Sequence, residues 1–114
     1  MYVFRKFSVF RNSSKHVYAH CLRGTPGGVA LLVINNDKAA SRTLSIPVAG
    51  DRYTMSSSDL QSKTVQLNGA ELNLGSGDEL PVLAGIPIQA GNVEFAPATI
   101  IFIAIPQAGN TACQ

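Results

Sequence analysis

The dipeptide Asn68-Gly69 lies between two segments that alternate in polarity, Ser62–Leu67 and Ala70–Leu74. Asn and Gly are the residues that best tolerate the positive φ angles of a type I′ turn. With these two as the turn, Leu67 faces Ala70, Gln66 faces Glu71 and Val65 faces Leu72. The apolar residues then share one face and the polar ones the other. A slip of one position would mix them. The pattern predicts a β-hairpin over Lys63–Leu74.

The rest of the chain reads in the same style. Strands are expected at His16–Leu22, Val29–Ile34, Arg42–Val48, Arg52–Met55, Asn92–Phe95 and Thr99–Ile105, with turn residues between them. Ala49-Gly50-Asp51 reads as a turn. Leu80–Ile88 holds Pro81 and Pro87 and reads as an irregular edge segment. Pro106–Gln114 reads as a tail. Short strands without a long helical period specify an all-β fold, an antiparallel β-sandwich of about seven or eight strands.

Val29–Ile34 and Ile100–Ile105 are apolar at every position. A sheet with one face in water should alternate. These two strands therefore call for a cover on the outer face of their sheet. A further domain, a partner chain or residues 1–15 could supply it.

Residues 1–15 differ in composition. Arg5, Lys6, Arg11 and Lys15 interleave with Tyr2, Phe4, Phe7 and Phe10, and no acid accompanies them. This basic, aromatic leader is expected to be disordered or a short helix, with the sandwich domain over 16–114. It has no continuous apolar segment and does not read as a signal peptide. If the protein is exported, the signal lies on a longer precursor. Asn12-Ser13-Ser14 is an N-glycosylation sequon at Asn12. The whole chain is only +2, which argues against a nucleic-acid partner. No stretch has the length of a transmembrane helix. Charged residues are 14% of the 114, so Ser, Thr, Asn, Gln and Gly must furnish much of the surface.

No catalytic, metal-binding or cofactor-binding constellation is visible. His16 and His20 share a strand face, but four residues of strand span roughly 13 Å, too far for two imidazoles to share one ion. The glycine-rich stretch Arg23–Gly28 lacks the Gly-Lys-Ser/Thr ending of a P-loop. The seven carboxylates are Asp37, Asp51, Asp59, Glu71, Asp78, Glu79 and Glu94. Nearly all fall in turns, in loops or on polar strand faces. No serine sits in a nucleophile elbow. Cys21 and Cys113 are the two cysteines. Their spacing leaves two readings open, a pair of buried thiols or a bridge closing nearly the whole domain. In the second case the compartment is oxidising.

Several segments together resemble the C-terminal β-domain of glycoside hydrolase family 79, the heparanase-like endo-β-glucuronidases, with plant-type members most similar. They are Val17–Cys21, Val29–Asn35, Leu60–Gly69, Asp78–Pro81, Phe95–Pro97 leading into Ile100–Ile105, and Ala112-Cys113. The resemblance covers about residues 16–114. It implies a non-catalytic accessory sandwich packed on a (β/α)₈ barrel. That barrel cleaves glucuronide linkages in glycans with retention, using two Glu residues. No position here matches those catalytic residues, so the chain by itself is expected to be no enzyme and to meet glycan only through a barrel. The resemblance also implies a Cys21–Cys113 disulfide and a secreted or otherwise oxidising location. Sandwiches of this family take strand material from before the barrel. This chain lacks it, which implies an incomplete sandwich with an open edge. A free-standing glycan- or protein-binding sandwich is the competing reading.

Overall fold

The computed structural model describes residues 15–59 and 61–114. The leader expectations and the Asn12 sequon lie outside the described residues. Among those described, nine strands form: β1 (Lys15–Cys21), β2 (Val29–Asn35), β3 (Arg42–Ile46), β4 (Gly50–Ser56), β5 (Gln66–Leu67), β6 (Ala70–Glu71), β7 (Ile86–Ile88), β8 (Gly91–Phe95) and β9 (Thr99–Ile105). All pairings are antiparallel. The large sheet runs β1-β2-β9-β4-β5-β6, with β7 also on β4, and β3-β8 form a separate two-stranded sheet. The fold is the expected all-β, sandwich-like arrangement.

Between the two sheets lies one core. Val29, Leu31 and Val33 of β2 and Ile101, Ile103 and Ile105 of β9 meet Leu44 and Ile46 of β3 and Val93 and Phe95 of β8. The odd-numbered residues of β2 and β9 thus point inward.

Asn35 closes one end of this core. It is buried, and its Nδ2 donates to the carbonyls of Ala40 (3.1 Å), Phe95 (3.2 Å) and Ala96 (3.1 Å). Its Oδ1 accepts from the amide of Asp37 at 3.1 Å. One side chain thereby joins the large sheet to the ends of both small-sheet strands, and burial without these partners would be costly. At the other end, Cys21 and Cys113 are joined as a disulfide. The terminal segment docks rather than trailing. Gly27 donates to Cys113 O at 2.8 Å, and Asn110 donates to Gly27 O at 2.9 Å, leading into a 3-10 turn over Thr111–Cys113.

The hairpin has the expected register, Leu67 opposite Ala70 and Gln66 opposite Glu71, with Leu72 N donating to Val65 O at 2.9 Å. Asn68 and Gly69 have φ of 51° and 86°, both positive as a type I′ turn requires. The ladder is shorter than Lys63–Leu74, because only β5 finds a further neighbour, in β4.

The expected turn at Ala49-Gly50-Asp51 is instead the start of β4. Gly50 pairs with Ile88, and a Cβ there would lie 2.5 Å from Ala104 O. Glycine marks a close backbone approach at this position, not a bend. β3 ends at Ile46, before Pro47. Within Leu80–Ile88 only Ile86–Ile88 is strand, and it lies on an edge where Pro87 needs no ladder donor.

Candidate interaction face

The outward side of the large sheet carries the feature that sequence periodicity singled out. Cross-strand partners on one face stack in rows about 4.8 Å apart from strand to strand. The central row is Tyr18, Leu32, Phe102 and Tyr53 across β1, β2, β9 and β4. A second row is His16, Ile34, Ile100 and Met55, continued by Leu67 of β5. The third is His20, Ala30, Ala104 and Asp51. The histidines and the carboxylate thus lie at the margins of an apolar and aromatic field. Tyr18 is 50% exposed, Phe102 43% and Ile100 40%.

The hairpin contributes to this field and not to the core. Leu67 pairs with Met55, whose side of β4 faces outward beside Ile100. Alternation correctly separated the two hairpin faces. It carried no information on which sheet surface the apolar one would join.

A loop adds to the same region. Gly85 lies against Tyr53, since a Cβ on it would sit 2.8 Å from the tyrosine Cζ. Upstream of it Leu80, Val82 and Leu83 stand largely in solvent, Val82 at 93% exposure. Asn68 ties the loop down by donating from Nδ2 to Ala84 O at 3.0 Å. A shallow hollow of about 290 Å³ at the end of the face is lined by Ile34, Asn35, Asn36, Lys38, Ala98, Thr99 and Ile100. Contiguous exposed apolar surface of this kind marks an interaction site more often than a free surface.

The two-stranded sheet is too narrow to cover the whole inner side of the large one. Every residue of β4 is only half-buried. Arg52 partly fills the gap. Its Nε donates to Thr54 Oγ1 at 3.2 Å, its Nη2 donates to Glu94 O at 3.2 Å, and its guanidinium lies 5.7 Å from the centre of the Phe95 ring. Burial lowers its pKa from the usual guanidinium value. Ile86, opposite Arg52, remains 48% exposed. Among the described residues no further strand lies beyond β3 and β8 in the small sheet, and that side of the sandwich is open.

The residues weighed for chemistry are scattered. His16 and His20 sit at the margin of the outer face, opposite Ile34 and Ala30, and His16 Nε2 lies 3.5 Å from Asn36 Nδ2. Asp37 is engaged by the amides of Ala39 (2.8 Å) and Ala40 (3.0 Å) and by Arg42 Nη2 (2.7 Å). Those contacts, the amides foremost, hold its carboxyl below the usual Asp value. It closes a turn. Glu79 folds against Gly75 and Gly77. Among the described residues no three His, Cys, Asp or Glu side chains gather as a metal site would require, and none of the described helical segments is long and apolar enough to cross a membrane. A second hollow of about 280 Å³, at Leu22, Gly24, Thr25, Pro26, Cys113 and Gln114, has no ionisable side chain in its lining. The structural parts played by Asn35 and Arg52 were missed from sequence. A lone Asn ending an apolar run was the available signal for the first. Nothing local marked the second.

No family model matches the chain. It is similar to a plant β-glucuronidase. Over 111 residues it is 28% identical to the baicalin-β-D-glucuronidase of Scutellaria baicalensis, an alignment covering 89% of this chain and 20% of that enzyme. The chain thus spans about one fifth of the length of the curated relative it matches. The similarity supports a relationship to glycoside hydrolases.

Proposed function

We propose that this chain is a non-catalytic accessory β-sandwich of a heparanase-like, family 79 glycoside hydrolase. In this reading residues 16–114 form the domain, and the outer face of the large sheet packs on a catalytic (β/α)₈ barrel. The observation that carries it is the apolar outer face of β2 and β9, with Phe102 and Ile100 of β9 exposed and the outward residues of β2 half-buried beside them. The partial match to a glucuronidase supports the parent chemistry, retaining hydrolysis of glucuronide linkages. The open β8 side suits strand material supplied from elsewhere in such an enzyme. The Cys21–Cys113 disulfide supports a secreted or other oxidising location, where the Asn12 sequon would be a glycan acceptor.

Two measurements test it. The purified chain should turn over no aryl glucuronide, and turnover above background would remove the non-catalytic assignment. A chimera in which this chain replaces the matching fifth of the plant enzyme should hydrolyse its glucuronide, and Phe102→Asp should abolish that activity. Equal activity with and without the aspartate would sink the docking assignment.

A second reading rests on one observation. Tyr18, Phe102 and Tyr53 share a row, and aligned aromatic rings can form a platform for sugar rings. Binding on a glycan array that is lost in Phe102→Ala would favour a free-standing glycan-binding module over the accessory domain.

A further inference from the structure

Asn68 has a second role beyond its turn. β5 pairs with β4 at Met55 and Ser56, whereas β7 pairs with it at Gly50–Arg52. Between them Asn68 stands in for a ladder partner. Its amide donates to Thr54 O at 2.8 Å, and its side-chain Oδ1 accepts from Thr54 N at 2.8 Å. Its Nδ2 donates to Ala84 O, the carbonyl that anchors the apolar loop. The same residue precedes a glycine in open space, with nothing within 4 Å of the place a Cβ would occupy. Asn followed by Gly is the dipeptide most prone to spontaneous deamidation, because no side chain on the second residue hinders attack by its nitrogen.

We propose that Asn68-Gly69 is a deamidation site gated by the fold, and that its conversion frees the loop at Ala84. The Gly69 nitrogen attacks Asn68 Cγ. The new N–Cγ bond forms as the Cγ–Nδ2 bond breaks, and ammonia leaves with the proton given up by the Gly69 amide. Water then adds to either carbonyl of the cyclic imide, giving aspartate or isoaspartate. In the folded chain the carboxamide is held at both ends, by Thr54 N and Ala84 O, so attack must wait for the clamp to open. The product carboxylate has only acceptors. One oxygen can keep Thr54 N, but the other faces the Ala84 carbonyl with no proton to share. Isoaspartate also lengthens the two-residue turn and breaks the Leu67–Ala70 register. Either product releases the loop that carries Leu80, Val82 and Leu83.

The test is an ageing experiment on the full chain at neutral pH, folded and in concentrated urea, with peptide mass spectrometry at Asn68. The folded chain should deamidate at least about tenfold more slowly than the unfolded one, as expected if the site reacts only after opening. Equal rates, or no reaction in urea, would overturn the gating. Limited proteolysis then compares chain aged to completion and refolded with fresh chain taken through the same urea and refolding steps. Cleavage in 80–85 should be about tenfold faster in the aged chain, by the same local-opening argument. An unchanged rate would overturn the release. Asn68→Asp should reproduce the faster cleavage without ageing, and resistance equal to that of the unaged parent would count against release in the same way.

Discussion

Asn35 of the large sheet donates from Nδ2 to the carbonyl of Phe95 in the small sheet at 3.2 Å. This bond crosses from one layer of the sandwich to the other at one end of the core, and Arg52 makes a second polar crossing to Glu94 O. Phe95 is fully buried and Asn35 nearly so. The pair therefore fixes the separation of the sheets at that end, while the apolar side chains between them supply most of the attraction.

Replacing Asn35 with Ala should be among the most damaging single changes in the chain. It removes the bonds to Ala40, Phe95 and Ala96 and leaves the Asp37 amide without Oδ1. A loss of about 2–4 kcal/mol is expected, since buried polar groups left unpaired carry the desolvation penalty. Urea unfolding of the purified variant measures it. A change within the error of the parent would show that the link contributes nothing net.

Neighbouring residues of β9 should behave oppositely. Ile103→Ala empties a site in the core and should cost about 2–5 kcal/mol. Phe102→Ser alters the outer face, where the ring is 43% exposed, and should cost about 1 kcal/mol or less. It should also reduce self-association of the isolated chain, measured by sedimentation velocity. A parent chain that stays monomeric at high concentration would argue against a face built to be covered.

Opening the Cys21–Cys113 bridge releases a closure of 92 residues in sequence separation. Loop entropy puts its contribution at up to about 4.5 kcal/mol. The double variant Cys21→Ser/Cys113→Ser should lose stability of that order and show faster amide exchange at Gly27 and Asn110, whose N–H groups make the bonds that dock the terminal turn. Exchange equal to the parent's there would mean that the Gly27 bonds hold the segment unaided.

Asp37 gives the chain an acid-sensitive element. Its pKa is depressed, first by the amides of Ala39 and Ala40 and then by Arg42. A carboxyl with a lowered folded-state pKa stabilises fully above its unfolded value of 3.8. That contribution is lost as the pH falls through the lower folded value. Asp37→Asn should therefore flatten the acid limb of a stability–pH curve and leave its shape near neutrality unaltered. An acid limb as steep as the parent's would assign the loss to other carboxylates.

The hairpin shows how much was legible. Its register came straight from Asn68-Gly69 and the alternation around it, because turn geometry and side-chain period are local properties. Its position was not legible. Nothing in residues 63–74 tells that Leu67 will lie beside Met55 on the outward side. Gly50 misled in the same way. A glycine beside Asp51 looks like a turn until Ala104 O is found within 2.5 Å of the place its Cβ would occupy. The cysteines left two readings from their spacing, and only the return of the last segment to the Gly27 turn brings them to a Cα separation of 5.3 Å. Arg52 was equally hidden, since its work depends on a gap between sheets of unequal width.

From the sequence alone came the all-β class, the turn positions, the hairpin register, and the fact that β2 and β9 have no polar side. The tertiary structure decided which of their two apolar sides becomes core. The odd-numbered side is buried because β3 and β8 bring Leu44, Ile46, Val93 and Phe95 against it. The other side, with Phe102 and Ile100, meets no second layer in the described residues. Apolar attraction is proportional to area and indifferent to direction. A strand that is apolar on both sides therefore states how much it can bury, and only the placement of the other strands states where.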